Sequence, residues 1–260
     1  MPDFSTYLDF AKDAAWQAGR LTLATFQTQF DVIWKGDNSP VTVADRGAEE
    51  LLRRLIGNTY PDHAIVGEEF GETHHANASF RWILDPIDGT RSFIRGVPLY
   101  GVLVGLEVEG EMVVGVAYFP GLHEMVAAAK GQGCTWNGRA CRVSQVRSLS
   151  EALLCYTDGP NFATYGRAAE WQRLSAAAHT LRGWGDAYGY ALVATGRAEA
   201  MFDPIMSVWD AAALVPILRE AGGTFTDWAG QPTAYGGNGI GTNGYLLDEI
   251  LAIVHHDNPE

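Results

Sequence analysis

Trp82-Ile83-Leu84-Asp85-Pro86-Ile87-Asp88-Gly89-Thr90-Arg91 runs three large apolar residues into two aspartates three positions apart. Pro86 fixes its own backbone angle and keeps Asp85 extended, so a strand over residues 82–84 cannot continue as helix. Gly89 permits a tight turn, and Thr90 begins a new segment. Both carboxylates then project from a strand-to-helix turn, beside N–H groups that lack intrahelical acceptors and favour anions. Two carboxylates that close repel each other unless a positive charge lies between them. Hard oxygen ligands suit Mg²⁺, which takes one or two carboxylates, waters and a phosphate oxygen. The pattern points to metal-assisted phosphoryl chemistry. Standing alone, D-P-x-D-G reads equally well as a turn with a cap.

Other acids shift that balance. Gly67-Glu68-Glu69 follows the apolar run Ala64-Ile65-Val66, a second pair of carboxylates at a strand end. Trp209-Asp210 opens an alanine-rich helical stretch, where Asp210 could cap the helix or bind metal. Lys35-Gly36-Asp37-Asn38-Ser39-Pro40-Val41-Thr42-Val43-Ala44-Asp45 ends in an acid just before a helix. Each has an ordinary capping or loop explanation; the combination is harder to dismiss.

Bulk properties narrow the partners. With 260 residues, 47% hydrophobic, the chain can build a sizeable core as one large domain or two joined halves. A net charge of −13 argues against binding nucleic acid or an anionic membrane through the general field. An anionic substrate would need local positive charge. No stretch approaches the ~20 apolar residues of a membrane span. The N-terminus, with Asp3, Asp9 and Asp13, is unlike a signal peptide. Cys134, Cys141 and Cys155 are odd in number and lack C-x-x-C spacing, which suits free thiols in a reducing cytoplasm.

Helical spacing marks residues 4–30, and a second helix is predicted over 46–56. Strands are predicted at 64–66 and 82–84, and Glu109-Gly110 marks a hairpin within 97–128. Beyond residue 149 strands and helices alternate, over 152–156, then 163–177, then 187–195, and a further helix at 209–221 is stopped by Gly222-Gly223.

The order K-x-D-x-S-P-V-T-x-A-D, G-E-E, W-x-L-D-P-I-D-G-T and W-D-A-A resembles the inositol monophosphatase family of Mg²⁺-dependent, lithium-sensitive phosphatases, over essentially the whole chain. The resemblance implies mixed α/β and α+β structure in a layered αβαβα sandwich. Residues 1–147 would form an N-terminal half with most metal ligands, and 148–260 a C-terminal half supplying Asp210 and leaving-group contacts. It implies two or three Mg²⁺ ions: one on Glu68, Asp85 and the Ile87 carbonyl, a second on Asp85, Asp88 and Asp210, and a weaker third on Glu68 with water. Thr90 and Asp45 would orient and deprotonate an attacking metal-activated water, and the N–H groups of Gly89 and Thr90 would take phosphate oxygens. A homodimer and a small phosphate monoester as partner are further implications.

The segment after the motif, Arg91-Ser92-Phe93-Ile94-Arg95-Gly96-Val97-Pro98-Leu99, is similar to the histidinol-phosphatase branch of that family, and Gly185-Asp186-Ala187-Tyr188 leans the same way. Asp186 and Asp203, with Arg91, fall where the family contacts substrate. Two acids suit an ammonium or imidazole better than a neutral polyol, since a charge-assisted hydrogen bond contributes about 1.5–3 kcal/mol. L-Histidinol phosphate is the expected substrate. Inositol 1-phosphate and fructose 1,6-bisphosphate are the alternatives, and a regulatory binding protein on the same fold is the reading from another class.

Some motifs mislead. Gly239-Ile240-Gly241-Thr242-Asn243-Gly244 matches G-x-G-x-x-G but leaves no room for a following βαβ unit. The aspartates of D-P-I-D-G-T are spaced too far apart for the D-x-D-G-T signature of phosphoaspartate enzymes. His74-His75 cannot converge on one metal in regular structure, and Asn77-Ala78-Ser79 matches a glycosylation sequon by chance. Lys35 could contact phosphate or cover a loop.

Overall fold

The computed structural model describes residues 3–29, 31–34, 36, 40–73, 75 and 78–256. Lys35, Asp37, Asn38 and Ser39 of the first motif, with His74 and Asn77, lie outside the described residues. The N-terminal apolar spacing becomes helix α1 (Ser5–Leu23), burying Ala11, Ala14, Ala15 and Ala18. It stops short of residue 30. There the Thr25 and Thr28 hydroxyls donate to the carbonyls of Thr22 and Thr25, and Gln27 takes a positive φ of 59°. A short antiparallel pair, β1 (Ile33–Trp34) and β2 (Pro40–Val41), leads into α2 (Val43–Thr59). That helix starts earlier than the predicted residue 46 because Thr42 and Asp45 form a capping box at its first turn.

The next segment builds an eight-stranded sheet from β3 (Ala64–Gly67), β4 (Gly71–Thr73), β5 (Phe80–Asp88), β6 (Gly101–Val108), β7 (Glu111–Phe119), β8 (Glu124–Ala129), β9 (Cys134–Trp136) and β10 (Arg139–Cys141), with a short helix α3 (Thr90–Ile94) after β5. The order is β10-β9-β8-β7-β6-β5-β3-β4, antiparallel except for the parallel β3–β5 pair. The Glu109-Gly110 hairpin forms as read, both residues having positive φ.

The strand expected to end at residue 84 instead runs through Pro86 to Asp88. Asp85 pairs with Leu103 and Asp88 with Gly101, so β5 advances one residue more than β6. This bulge accommodates the proline, which has no N–H to give the ladder. It also matters for chemistry: residues three apart in a regular strand point to opposite faces, and the extra residue returns Asp85 and Asp88 to the same side.

A second, five-stranded sheet takes β11 (Leu153–Tyr156), β12 (Thr180–Arg182), β13 (Ala200–Asp203), β14 (Thr224–Thr226) and β15 (Gly239–Thr242), in the order β12-β11-β13-β15-β14. Its helices are α4 (Gly159–Thr164), α5 (Ala168–Ala177), α6 (Asp186–Ala194), α7 (Val208–Ala211), α8 (Leu214–Glu220) and α9 (Leu247–Val254). Two helices expected to be continuous are each broken. The 163–177 segment divides into α4 and α5 at Gly166, which has a φ of 71°. The 209–221 segment divides into α7 and α8 because Pro216 cannot donate to the Ala212 carbonyl and its ring crowds that group. Gly222 and Gly223 do end α8, donating to the carbonyls of Arg219 and Leu218.

Five layers result. One core lies between α1 and α2 (Ala14, Ala18, Leu52, Ile56) and the outer face of the large sheet (Trp82, Leu84, Val104, Val114). A second joins the other face (Ile83, Leu103, Ala117, Phe119) to α6 and α8 (Tyr190, Ala191, Leu214, Ile217). A third packs α4, α5 and α9 (Phe162, Leu174, Ile250) on the small sheet (Leu154, Phe202). This is the expected α/β layered sandwich. The G-x-G-x-x-G look-alike begins in β15, where a Cβ on Gly239 would meet Met206 at 2.8 Å and one on Gly241 the Tyr190 ring at 2.6 Å, so these two glycines serve packing. No helix among the described residues is long and apolar enough to cross a membrane.

Candidate active site

The bulged end of β5, the end of β3, the start of α2 and the first turns of α3, α6 and α7 converge on one cleft of about 190 Å³. It is lined by Glu68, Asp85, Asp88, Thr90, Asp186 and Asp210, among others. Carboxylate oxygens of Asp85, Asp88 and Asp210 all lie within 4.8 Å of one another, although Asp210 follows the other two by more than a hundred residues.

Each carboxylate is aimed by local backbone. Asp85 Oδ1 accepts the Ile87 N–H at 3.0 Å, closing a turn within the bulge. Asp88 Oδ2 accepts the Ala187 N–H at 2.7 Å, at the start of α6. Asp210 belongs to a capping box, its Oδ2 accepting the Ser207 N–H at 2.7 Å. Asp45 likewise serves its own helix: Oδ2 accepts the Thr42 N–H at 2.8 Å and hydroxyl at 2.6 Å. Its Oδ1 stays available to Thr90, whose Oγ1 lies 3.1 Å from it and 2.9 Å from the Ile87 carbonyl. The capping explanations for Asp45 and Asp210 are therefore true, and each cap leaves one carboxylate oxygen uncommitted to it.

Burial with like charge raises these groups. Asp85 and Asp88 are pushed well above the usual carboxylate range, first by burial and then by neighbouring acids: Glu68, Asp88 and Asp210 around Asp85, Asp186 and Asp210 around Asp88. Asp210 is raised by burial, against hydrogen bonds from Ser207 and Asp85. Burial also raises Asp45, opposed by its hydrogen bonds from Thr42 and Thr90. Among the described residues lining the cleft, Arg91 is the cationic one. Three convergent oxygen donors, two buried and the third half-buried, with so little cationic compensation form a cluster that fits a hard divalent metal ion. Gly89 stands at the N-terminus of α3 with a φ of 77°, and a Cβ there would come 2.8 Å from Asp186 Oδ2.

A second hollow of about 130 Å³ adjoins the cluster, lined by Asp88, Thr157, Asn161, Asp186, Asp203, Ile205, Met206 and Asp210. Asp186, itself at a positive φ of 54°, donates its N–H to Thr157 Oγ1 at 2.9 Å. Asp203 Oδ2 accepts the Tyr190 hydroxyl at 3.0 Å. Burial moves Asp186 up to about 6, reinforced by Asp210, and Asp203 up to about 7, partly offset by its hydrogen bond with Thr157.

The structure thus brings all the expected site residues to the cleft or its rim: Asp45, Glu68, Asp85, Ile87, Asp88, Gly89, Thr90, Arg91, Asp186, Asp203 and Asp210. Sequence reasoning missed Glu49, Thr157, Tyr190 and Asn161. Glu49 is fully buried, and its carboxylate accepts the N–H groups of Glu69 at 2.7 Å and Phe70 at 3.2 Å, with Arg53 Nε at 2.7 Å. It anchors the loop that carries Glu68. The signal was an acid one position after Ala48, on the face of α2 that also buries Ala44 and Leu52. Tyr190, in an apolar helix, offered no such signal.

Comparison with known proteins agrees with this architecture. A model of the inositol monophosphatase family matches residues 3–258. The chain is 46% identical over 249 residues to a histidinol-phosphatase of Chlorobaculum parvum, covering 95% of this chain and 96% of that one. It is 35% identical over 266 residues to a histidinol-phosphatase of Streptomyces coelicolor, covering 98% and 99%. Among solved structures, the inositol monophosphatase from Anabaena (Nostoc) sp. PCC 7120 superposes with a TM-score of 0.87 at 30% identity, over 99% of this chain and 98% of that one. A family match over nearly every residue, on a fold that gathers these acids at one cleft, leaves a plain conclusion: the chain belongs to the inositol monophosphatase family and is a phosphomonoesterase.

Proposed function

We propose that the protein hydrolyses L-histidinol phosphate to L-histidinol and phosphate, with Mg²⁺ as its cofactor. One observation carries the choice of leaving group: Asp186 and Asp203 share a hollow directly beside the acidic cluster. A phosphate held at the cluster would place its ester substituent between two carboxylates, where an ammonium or imidazolium is favoured over a neutral polyol. The names of the relatives from Chlorobaculum parvum and Streptomyces coelicolor support the same reading.

Glu68, Asp85 and the Ile87 carbonyl would hold one Mg²⁺, and Asp85, Asp88 and Asp210 a second, with Glu68 available to a third. When bound, the ions neutralise the carboxylates and polarise the phosphoryl group. The chain's own groups do the rest. N–H groups of Gly89 and Thr90, at the start of α3, would take phosphate oxygens. Thr90 Oγ1 passes its proton to Asp45 Oδ1 as it accepts one from the attacking water. Burial raises the basicity of Asp45 toward what such a relay needs near neutral pH. In this reading residues 1–147 supply most of the phosphate and metal contacts, and 148–260 supply Asp210 and the leaving-group acids. The working unit is proposed to be a cytoplasmic homodimer.

Phosphate release from L-histidinol phosphate, inositol 1-phosphate and fructose 1,6-bisphosphate, each with and without EDTA, tests the proposal. A strong EDTA-sensitive preference for the first is the expected result. Preference for a polyol phosphate would overturn the leaving-group assignment while keeping the phosphatase.

A further inference from the structure

Cys134 and Cys141 sit directly opposite each other in the β9–β10 hairpin, with their sulfurs 3.5 Å apart. Directly opposed residues of an antiparallel pair project from the same face of the sheet, with Cα atoms about 4.5–5.5 Å apart, inside the span a disulfide bridges. The register is tightly set. Asn137 and Gly138 both have positive φ in the tight turn, and the Asn137 side chain accepts the Met125 N–H at 2.7 Å and donates to the His123 carbonyl at 3.1 Å. The two thiols cannot slip past one another.

Their surroundings differ. Cys134 is buried in the core between the sheets, while Cys141 is half-buried and reachable. The Cys141 thiol is lowered from its ordinary value by its hydrogen bond with Cys134, which outweighs the opposing effect of burial, with a smaller contribution from the positive charge of Arg197. Arg197 is itself fixed: its guanidinium lies 4.3 Å over the Trp136 ring of the same hairpin, and Nη2 reaches Glu124 at 2.7 Å. Cys134 is shifted the other way, chiefly by its hydrogen bond with Cys141 and by burial. Cys155, buried in β11, is pushed up to about 12 by burial and Glu199, so it is inert by the same criteria.

We propose that Cys134 and Cys141 are a dithiol modification site that low-molecular-weight disulfides convert reversibly to an intramolecular disulfide. The Cys141 thiolate attacks one sulfur of the oxidant RSSR, forming a mixed disulfide and releasing RS⁻, which takes up a proton. The Cys134 thiol then loses its proton and attacks the Cys141 sulfur, expelling the second RSH. The protein loses two protons and two electrons, and the oxidant leaves as two thiols. This site is independent of the substrate assignment above.

The test uses the intact wild-type protein with Mg²⁺, incubated with oxidised glutathione, then denatured, alkylated and mapped by mass spectrometry. The expected result is loss of two of the three alkylatable thiols, a mass decrease of two hydrogens, and a peptide linking Cys134 to Cys141. Cys155 stays alkylatable, and dithiothreitol restores both thiols. C155S should behave identically, whereas C141S should keep Cys134 alkylatable. A stable glutathione adduct on Cys141 with Cys134 still free, a bridge to Cys155, or a bridge between two chains would each overturn the proposal. So would retention of all three thiols.

Discussion

The N–H of Ala187 donates to Asp88 Oδ2 at 2.7 Å, tying the first turn of α6 to the bulged end of β5 across 99 positions of sequence. The bond fixes one carboxylate oxygen of Asp88, and the Asp88 carboxylate lies with those of Asp85 and Asp210, ligand oxygens within 4.8 Å of one another. It also brings Asp186, the residue before Ala187, against Gly89. Placement of Asp88 in the acidic cluster and of Asp186 beside it is therefore one structural event.

Asp88→Asn keeps an oxygen for Ala187 and removes a charge. Turnover is expected to fall about 10²-fold or more with Mg²⁺ present, while the circular dichroism spectrum is unchanged. In EDTA the same variant should melt above wild type, because a buried repulsion is gone. Activity within a few-fold of wild type would contradict the metal assignment.

Stability without metal should depend on pH in a definite direction. Asp186 near 6 and Asp203 near 7, together with the raised Asp85 and Asp88, bind protons in the folded state that the unfolded chain has released. Unfolding is then opposed most strongly at low pH, and this contribution falls as pH rises from about 4 to about 7. Melting temperature in EDTA should drop across that window by more than acid denaturation elsewhere in the protein offsets, and Mg²⁺ should restore more at about pH 8 than at about pH 5. Identical curves with EDTA and with Mg²⁺ at about pH 8 would sink the idea.

Asp186→Ala and Asp203→Ala probe the hollow beside the cluster. Each removes a partner for a cationic leaving group and should reduce kcat/KM for L-histidinol phosphate roughly ten- to a hundredfold, from about 1.5–3 kcal/mol. Inositol 1-phosphate, a neutral polyol ester, should change far less. Equal losses on both esters would show that the acids support the site without choosing the substrate.

Glu49→Gln tests a residue that never meets substrate. Its amide offers one acceptor oxygen where the carboxylate offers two to Glu69, Phe70 and Arg53, so the loop bearing Glu68 should lose its seat. The Mg²⁺ concentration for half-maximal activity should rise about 10- to 100-fold, with a smaller change in kcat at saturating Mg²⁺. A drop in kcat at unchanged Mg²⁺ dependence would assign Glu49 some other role.

Much of the site was legible because its signals are local. Pro86, Gly89 and the two aspartates constrain each other within a few residues, as do the caps at Thr42–Asp45 and Ser207–Asp210 and the turn at Glu109-Gly110. The helix break at Pro216 was legible too and went unread: the alanine-rich pattern on either side outweighed one missing N–H.

What the sequence by itself determined is the set of chemical parts and their order: strand-end acids, a phosphate-favouring turn, and a motif series specific enough to identify the family. Which parts meet was decided only in three dimensions. The bulge that turns Asp85 and Asp88 to one side depends on pairing with β6, and Asp210 joins them because α7 follows a strand of the other sheet. Glu49 under the Glu68 loop and Cys134 facing Cys141 follow from packing and strand register in the same way. Dihedral preferences and capping act over a few residues and can be read along the chain, whereas burial and strand pairing join residues by the shape of the whole core.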